Sequence, residues 1–367
     1  MLAAVVLAFA FAPLSHSPQR PRPVDISKAF FVGDMVHLVP QQELPFQPRQ
    51  TATPVLDEPG SRLYVGTNDG YVRCRFHGRT VWTWHAGGSV LAAPLLDRDT
   101  LYVSAADGRL SALNRITGDV RWVAELREEL TTTPTLAGGN LYVMSSEESI
   151  TAVDADTGKS VWKFHRDPPG GFTIRGNARP IVAHGSVFAG FADGSVAALG
   201  PSDGVAKWVR AVSGTGDYLD VDDLAVPEAD DRIYAASSKV GVVALDVATG
   251  NPVWTAPLPG ANHLVVDGPR VYATGKSMLI AVARADGKPL WKMSLGNDHY
   301  ATASAVTGGL ILFAIERGPL VAVDALTGRM RGAFNPGSGF SAGPLVIPGA
   351  AFAISNAGVL FSLGLVP

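Results

Sequence analysis

One pattern governs this chain: a glycine followed four residues later by a tryptophan, at Gly78/Trp82, Gly118/Trp122, Gly158/Trp162, Gly204/Trp208, Gly250/Trp254 and Gly287/Trp291. Six of the seven tryptophans obey it, at spacings of 40, 40, 46, 46 and 37 residues, and a seventh copy at Thr327-Gly328 reaches Gly332 where the indole would stand. Before each copy comes an apolar strand, a short turn and an alternating strand, as in Leu101-Tyr102-Val103, Asp107-Gly108 and Leu110 to Leu113. That element occurs eight times, beginning at Leu63, Leu101, Leu141, Val187, Ile233, Val271, Leu312 and Ala351. The last copy runs out at Leu363 with no Gly-to-Trp strand after it.

A period of about 42 residues carrying four short strand signals is the arithmetic of a propeller blade. The first strand of a repeat is often opened by proline (Pro54, Pro94, Pro134, Pro180, Pro227, Pro344). Asp154, Asp246, Asp324 and Asn114 open turns that close on Thr-Gly, where a side-chain oxygen satisfies backbone amides and glycine supplies positive φ. The prediction is an all-β fold: an eight-bladed β-propeller of four-stranded antiparallel blades. Phe30 to Val39, a largely apolar stretch with no blade of its own, supplies the missing outer strand of the eighth blade and closes the ring, which removes the open sheet edges. A tryptophan recurring once per blade is a packing residue between blades, whereas Trp84, outside the rule, is expected at the surface. WD40 repeats have a similar length, but no tryptophan here is followed by aspartate.

The domain plan is a signal segment over 1–17, a linker over 18–29 and a single propeller domain over 30–367. Leu2 to Leu14 is an apolar run interrupted only by Pro13, long enough for a signal peptide and short of the ~20 residues of a membrane span. The protein is therefore expected to be exported or periplasmic, and without a cysteine near this segment no lipid anchor is expected. Thirty basic and 33 acidic side chains give a net charge of −3, which lacks the basic field that nucleic acid requires. The single cysteine, Cys74, falls in a slot held by Ala112, Ala152, Ala198, Ala244, Ala281, Ala322 and Ser362, and reads as core. The eight histidines form no metal-ligand spacing, and no catalytic order can be assigned, so no catalytic, metal or cofactor residue is expected.

Two segments that lead into adjacent blades carry the most specific chemistry. Phe172, Ile174 and Arg175 precede Pro180, and Asp220 and Asp222 precede Pro227. Phe172 and Ile174 alternate, as do Asp220 and Asp222, so each pair is expected to project to one side. Together they offer an apolar pair, a guanidinium and two carboxylates, the composition of an interface anchor. Arg175 could equally pair with an aspartate to tie two blades.

The Thr-Gly-x-x-x-Trp copies resemble the PQQ-like propeller repeat over roughly residues 50 to 363. Phe172 through Pro180, with Asp220-Val221-Asp222, resembles the BamB family of outer-membrane assembly propellers. That resemblance implies a non-catalytic, monomeric periplasmic scaffold, peripheral to the outer membrane, without a cofactor, that docks a BamA-like protein partner through Phe172, Ile174, Arg175, Asp220 and Asp222. Phe172 stands where that family commonly has leucine. Two alternatives are a PQQ-dependent dehydrogenase, whose relatives share the tryptophan repeat, and a ligand-sensing surface propeller.

Overall fold

The computed structural model describes residues 29–39, 49–58, 61–167, 178–296 and 299–365. The expected signal segment and the linker up to residue 28 lie outside them. The described residues form eight four-stranded antiparallel sheets. In seven of them the strands lie side by side in chain order, as in blade 2, Leu95–Asp97, Thr100–Ser104, Arg109–Asn114 and Val120–Glu125. The eighth combines Leu345–Ile347, Ala350–Ile354 and Val359–Leu365 with the N-terminal strand Phe30–His37, Phe30 facing Leu365 and His37 facing Val359. The ring thus closes as the strand count requires.

Buried side chains gather in eight clusters, each drawn from two consecutive blades and the last joining blade 8 to blade 1. The tryptophan rule explains how those junctions are built. Trp82 packs on Tyr64 of its own blade at 5.9 Å between ring centroids, Trp122 on Tyr102 at 6.0 Å and Trp162 on Tyr142 at 5.8 Å. Each of the six indoles donates its N–H to a carbonyl of the following blade at 3.0–3.3 Å. The glycine of that following blade lies against the ring: a Cβ on Gly158 would stand 2.6 Å from a Trp122 carbon, and φ there is +72°. Glycine is needed twice over, for the turn and for the neighbour. Asp154, Asp246, Asp324 and Asn114 accept amide hydrogen bonds within these turns.

Cys74 is fully buried, paired in register with Tyr64 and Trp82, and burial pushes its thiol up to about 11. Two local expectations need correction. Trp84 is half-buried against the blade 1/2 cluster rather than at the surface. Pro227 follows the inner strand of blade 5, Val221–Ala225, instead of opening it; this blade has a longer inner turn, in which the Pro227 carbonyl accepts the Asp230 amide at 3.1 Å.

Because every blade runs from its inner strand outward, the blade-to-blade connections and the turns between second and third strands share one end of the ring. The other two hairpin turns of each blade share the opposite end. The first is called here the connection face and the second the hairpin face.

Candidate functional site

On the connection face, carboxylates from three successive blades converge. Asp220, immediately before the inner strand of blade 5, is fully buried. Its carbonyl accepts the Ser238 amide at 2.9 Å, and the Ser238 hydroxyl donates to Asp222 Oδ2. One serine therefore holds both aspartates. The simple alternation expected of them is interrupted by a bulge: Val221 pairs with Ser237 and Asp223 with Ala236, which leaves Asp222 as the extra residue. Bulges re-aim side chains in this way. Asp223, the next residue, accepts the Leu264 amide at 3.0 Å and lies 3.9 Å from His263 Nδ1.

Burial pushes the Asp222 carboxyl up to about 7; the Ser238 bond opposes the rise, and the charges of Asp220 and Asp223 add to it. Glu148, from the second turn of blade 3, behaves alike. It is 3 % exposed, its Oε2 accepts the Ala192 amide of blade 4 at 2.9 Å, and burial, with Asp193 and Asp220 nearby, raises it to about 7. Asp193 accepts from Arg166 Nε at 2.9 Å, and the Arg166 amide donates to the Glu148 carbonyl at 3.1 Å. The same guanidinium lies 5.6 Å from the Phe191 ring centroid. Blades 4 and 5 approach closely here, since a Cβ on Gly190 would stand 2.5 Å from Val221 Cγ1.

Of the residues expected at the site, Asp220 and Asp222 are brought together. Phe172, Ile174 and Arg175 lie outside the described residues, in the sequence between Asp167 and Ala178. Glu148, Asp193 and Arg166 were missed by motif reading. The signal for Glu148 was present in the repeat: it stands where the equivalent turns hold Gly70, Gly108 and Gly194, and keeps their left-handed backbone at φ +59°. Among the described residues no three His, Cys, Asp or Glu side chains converge as a metal-ligand set. Among the described residues the cluster sets the buried carboxyls of Glu148 and Asp222, which change charge near neutrality, beside the Arg166–Asp193 pair.

The family model for outer membrane protein assembly factor BamB matches residues 41–128, 68–292 and 223–358. The chain belongs to the BamB family. A BamB of Bordetella pertussis is 27 % identical over 295 residues, spanning 78 % of this chain and 76 % of that one. The crystal structure of BamB from Moraxella catarrhalis superposes with a TM-score of 0.79 at 22 % identity, covering 91 % of this chain and 99 % of that one. Quinohemoprotein alcohol dehydrogenase from Comamonas testosteroni shares the fold, with a TM-score of 0.72 at 16 % identity over 92 % of this chain and 76 % of its own. The BamB-like PQQ-repeat propeller read from the sequence is therefore the fold and the family of this protein.

Proposed function

We propose that this member of the BamB family is a non-catalytic periplasmic scaffold of outer-membrane β-barrel protein assembly, docking a BamA-like subunit through the connection face of blades 3 to 5. The observation that carries the reading is the cluster of Glu148, Asp220 and Asp222, held by Ser238 and the Ala192 amide at one blade junction. Phe172, Ile174 and Arg175, from the sequence that joins blades 3 and 4, are proposed to complete the surface with two apolar anchors and a guanidinium. Anchors of this composition carry most of the energy of a protein interface.

The test is capture of the BamA-like protein of the same organism by immobilised chain. Arg175→Glu and, separately, Asp222→Asn are expected to reduce capture at least tenfold while the thermal midpoint of each stays near the parent's. Full capture by both variants overturns the site. A quinoprotein reading draws on the fold shared with the alcohol dehydrogenase; dye reduction after addition of PQQ and calcium would displace the scaffold reading.

A further inference from the structure

The junction that closes the ring, blade 8 against blade 1, is built differently from the six that hold an indole. In those six, the outer-strand tryptophan faces the small residue of the third strand, as Trp82 faces Cys74 and Trp122 faces Ala112. In the closing sheet the residue that faces Ser362, the occupant of that small-residue slot, is Asp34. The second-strand aromatic is retained as Phe352, also opposite Ser362. A second replacement comes from the other side of the seam. The residue after the small one is aliphatic elsewhere, as in Leu113, Val153 and Leu199, and Leu113 packs into the same cluster as Tyr64 and Trp82. In blade 1 that residue is Arg75.

These two exchanges leave a cavity of about 550 Å³, lined among others by Asp34, Arg75, Gly78, Phe352, Leu360 and Ser362. Its size is that of a small-molecule site, which spans roughly 300–1,000 Å³. Among the described residues this junction also holds the smallest cluster of buried apolar side chains, six against nine to fourteen at the others. Arg75 is only 9 % exposed and donates to the Thr80 hydroxyl at 3.2 Å and to the Gly78 carbonyl. A guanidinium carries five N–H donors, and those bonds use two. Asp34 accepts the Met35 amide at 2.8 Å, and its charge acts on the buried guanidinium. The walls are thus largely apolar, with Arg75 and Asp34 set into them and the exposed Glu58 and His77 also lining the cavity.

We propose that this cavity binds a free aromatic amino acid, its ring taking the place of the missing indole against Phe352 and Leu360, its ammonium on Asp34 and its carboxylate on Arg75. A wholly apolar guest would engage neither Asp34 nor Arg75, and a singly charged one only one of them; a zwitterion with a flat ring engages both. The cavity opens among hairpin-face turns, at Gly78 and at Gly349, and so lies opposite the carboxylate cluster of blades 3 to 5. It is independent of the docking reading.

The test is isothermal titration calorimetry of the full chain with three probes: L-tryptophan, tryptamine and indole-3-propionate. L-Tryptophan is expected to bind saturably with a Kd of about 1 mM or tighter, and each singly charged probe more weakly. Asp34→Asn should weaken L-tryptophan and tryptamine at least tenfold and leave indole-3-propionate unchanged. Arg75→Leu, which restores the aliphatic residue of the other blades, should do the reverse. Asp34→Trp should abolish binding of all three and raise the thermal midpoint by filling the seam. No saturable heat from L-tryptophan up to about 10 mM overturns the proposal. So does a pattern in which the Asn and Leu variants affect all three probes equally.

Discussion

Glu148 shows how one residue can conflict with the fold that contains it. Its backbone sits at φ +59° in a turn where the equivalent residues of blades 1, 2 and 4 are Gly70, Gly108 and Gly194, and such strain in a non-glycine residue persists where the surroundings hold it. Its carboxyl titrates near 7 in the folded chain against an ordinary value of 4.5. Between those two values the folded state binds more protons than the unfolded one, so stability falls as pH rises, and below 4.5 the penalty is absent. At 1.36 kcal/mol per pH unit the penalty above pH 7 is roughly 3 kcal/mol. Glu148→Gln keeps an acceptor for the Ala192 amide and removes the charge. Urea denaturation should find it more stable than the parent by about 2 kcal/mol at pH 8 and little changed at pH 4.5. An equal difference at both pH values would show that the carboxylate carries no such penalty. A glutamate in a glycine slot could have been read from the repeat alone; its proximity to Asp220 could not, because that contact depends on how three blades meet.

The recurrent structural element is a hairpin turn from one blade clasping an indole from the blade before. Trp122 and Gly158 are such a pair: the ring lies where a glycine side chain would have to go, and its N–H reaches the Ala155 carbonyl at 3.0 Å. Trp122→Ala should cost about 3 kcal/mol through lost burial and the space left behind. Gly158→Ala should also destabilise, partly through the clash and partly through its positive φ. The double variant should cost less than the two single costs combined, by about 1 kcal/mol or more, since the clash disappears with the ring. Strict additivity in a double-mutant cycle would mean that the two sites do not touch. This element was the most legible part of the chain, because the same side chains recur at the same spacing and turn chemistry agrees with strand period. What resisted reading was local departure from the repeat. In blade 5 the bulge at Asp222 and the longer turn after Pro227 shift the pattern without any composition signal.

For the molecule as a whole, closure is the decisive contact. Phe30–His37 pairs with Val359–Leu365, more than 300 residues away in sequence, and this pairing alone covers the last edge of the eighth sheet. That partner was legible by counting strands, since eight repeated elements left one outer strand unsupplied. The register was not, and the register puts Asp34 opposite Ser362 and opens the cavity at the seam. Phe30 also packs with Phe334, Phe340 and Phe361 between blades 7 and 8, where Gly332 holds no indole. The closing strand therefore supports the junction on each side of it. A chain lacking residues 1–38 should expose both an unpaired edge and an apolar seam, the combination that drives strands to pair with other molecules. Light scattering after size exclusion should find it self-associated and melting below the parent. Adding a synthetic peptide of residues 29–39 should restore a monomer, since the pairing supplies backbone hydrogen bonds along an edge that is otherwise complete. A truncated chain that stays monomeric and melts with the parent would mean that seven full blades and three strands hold the ring without their clasp.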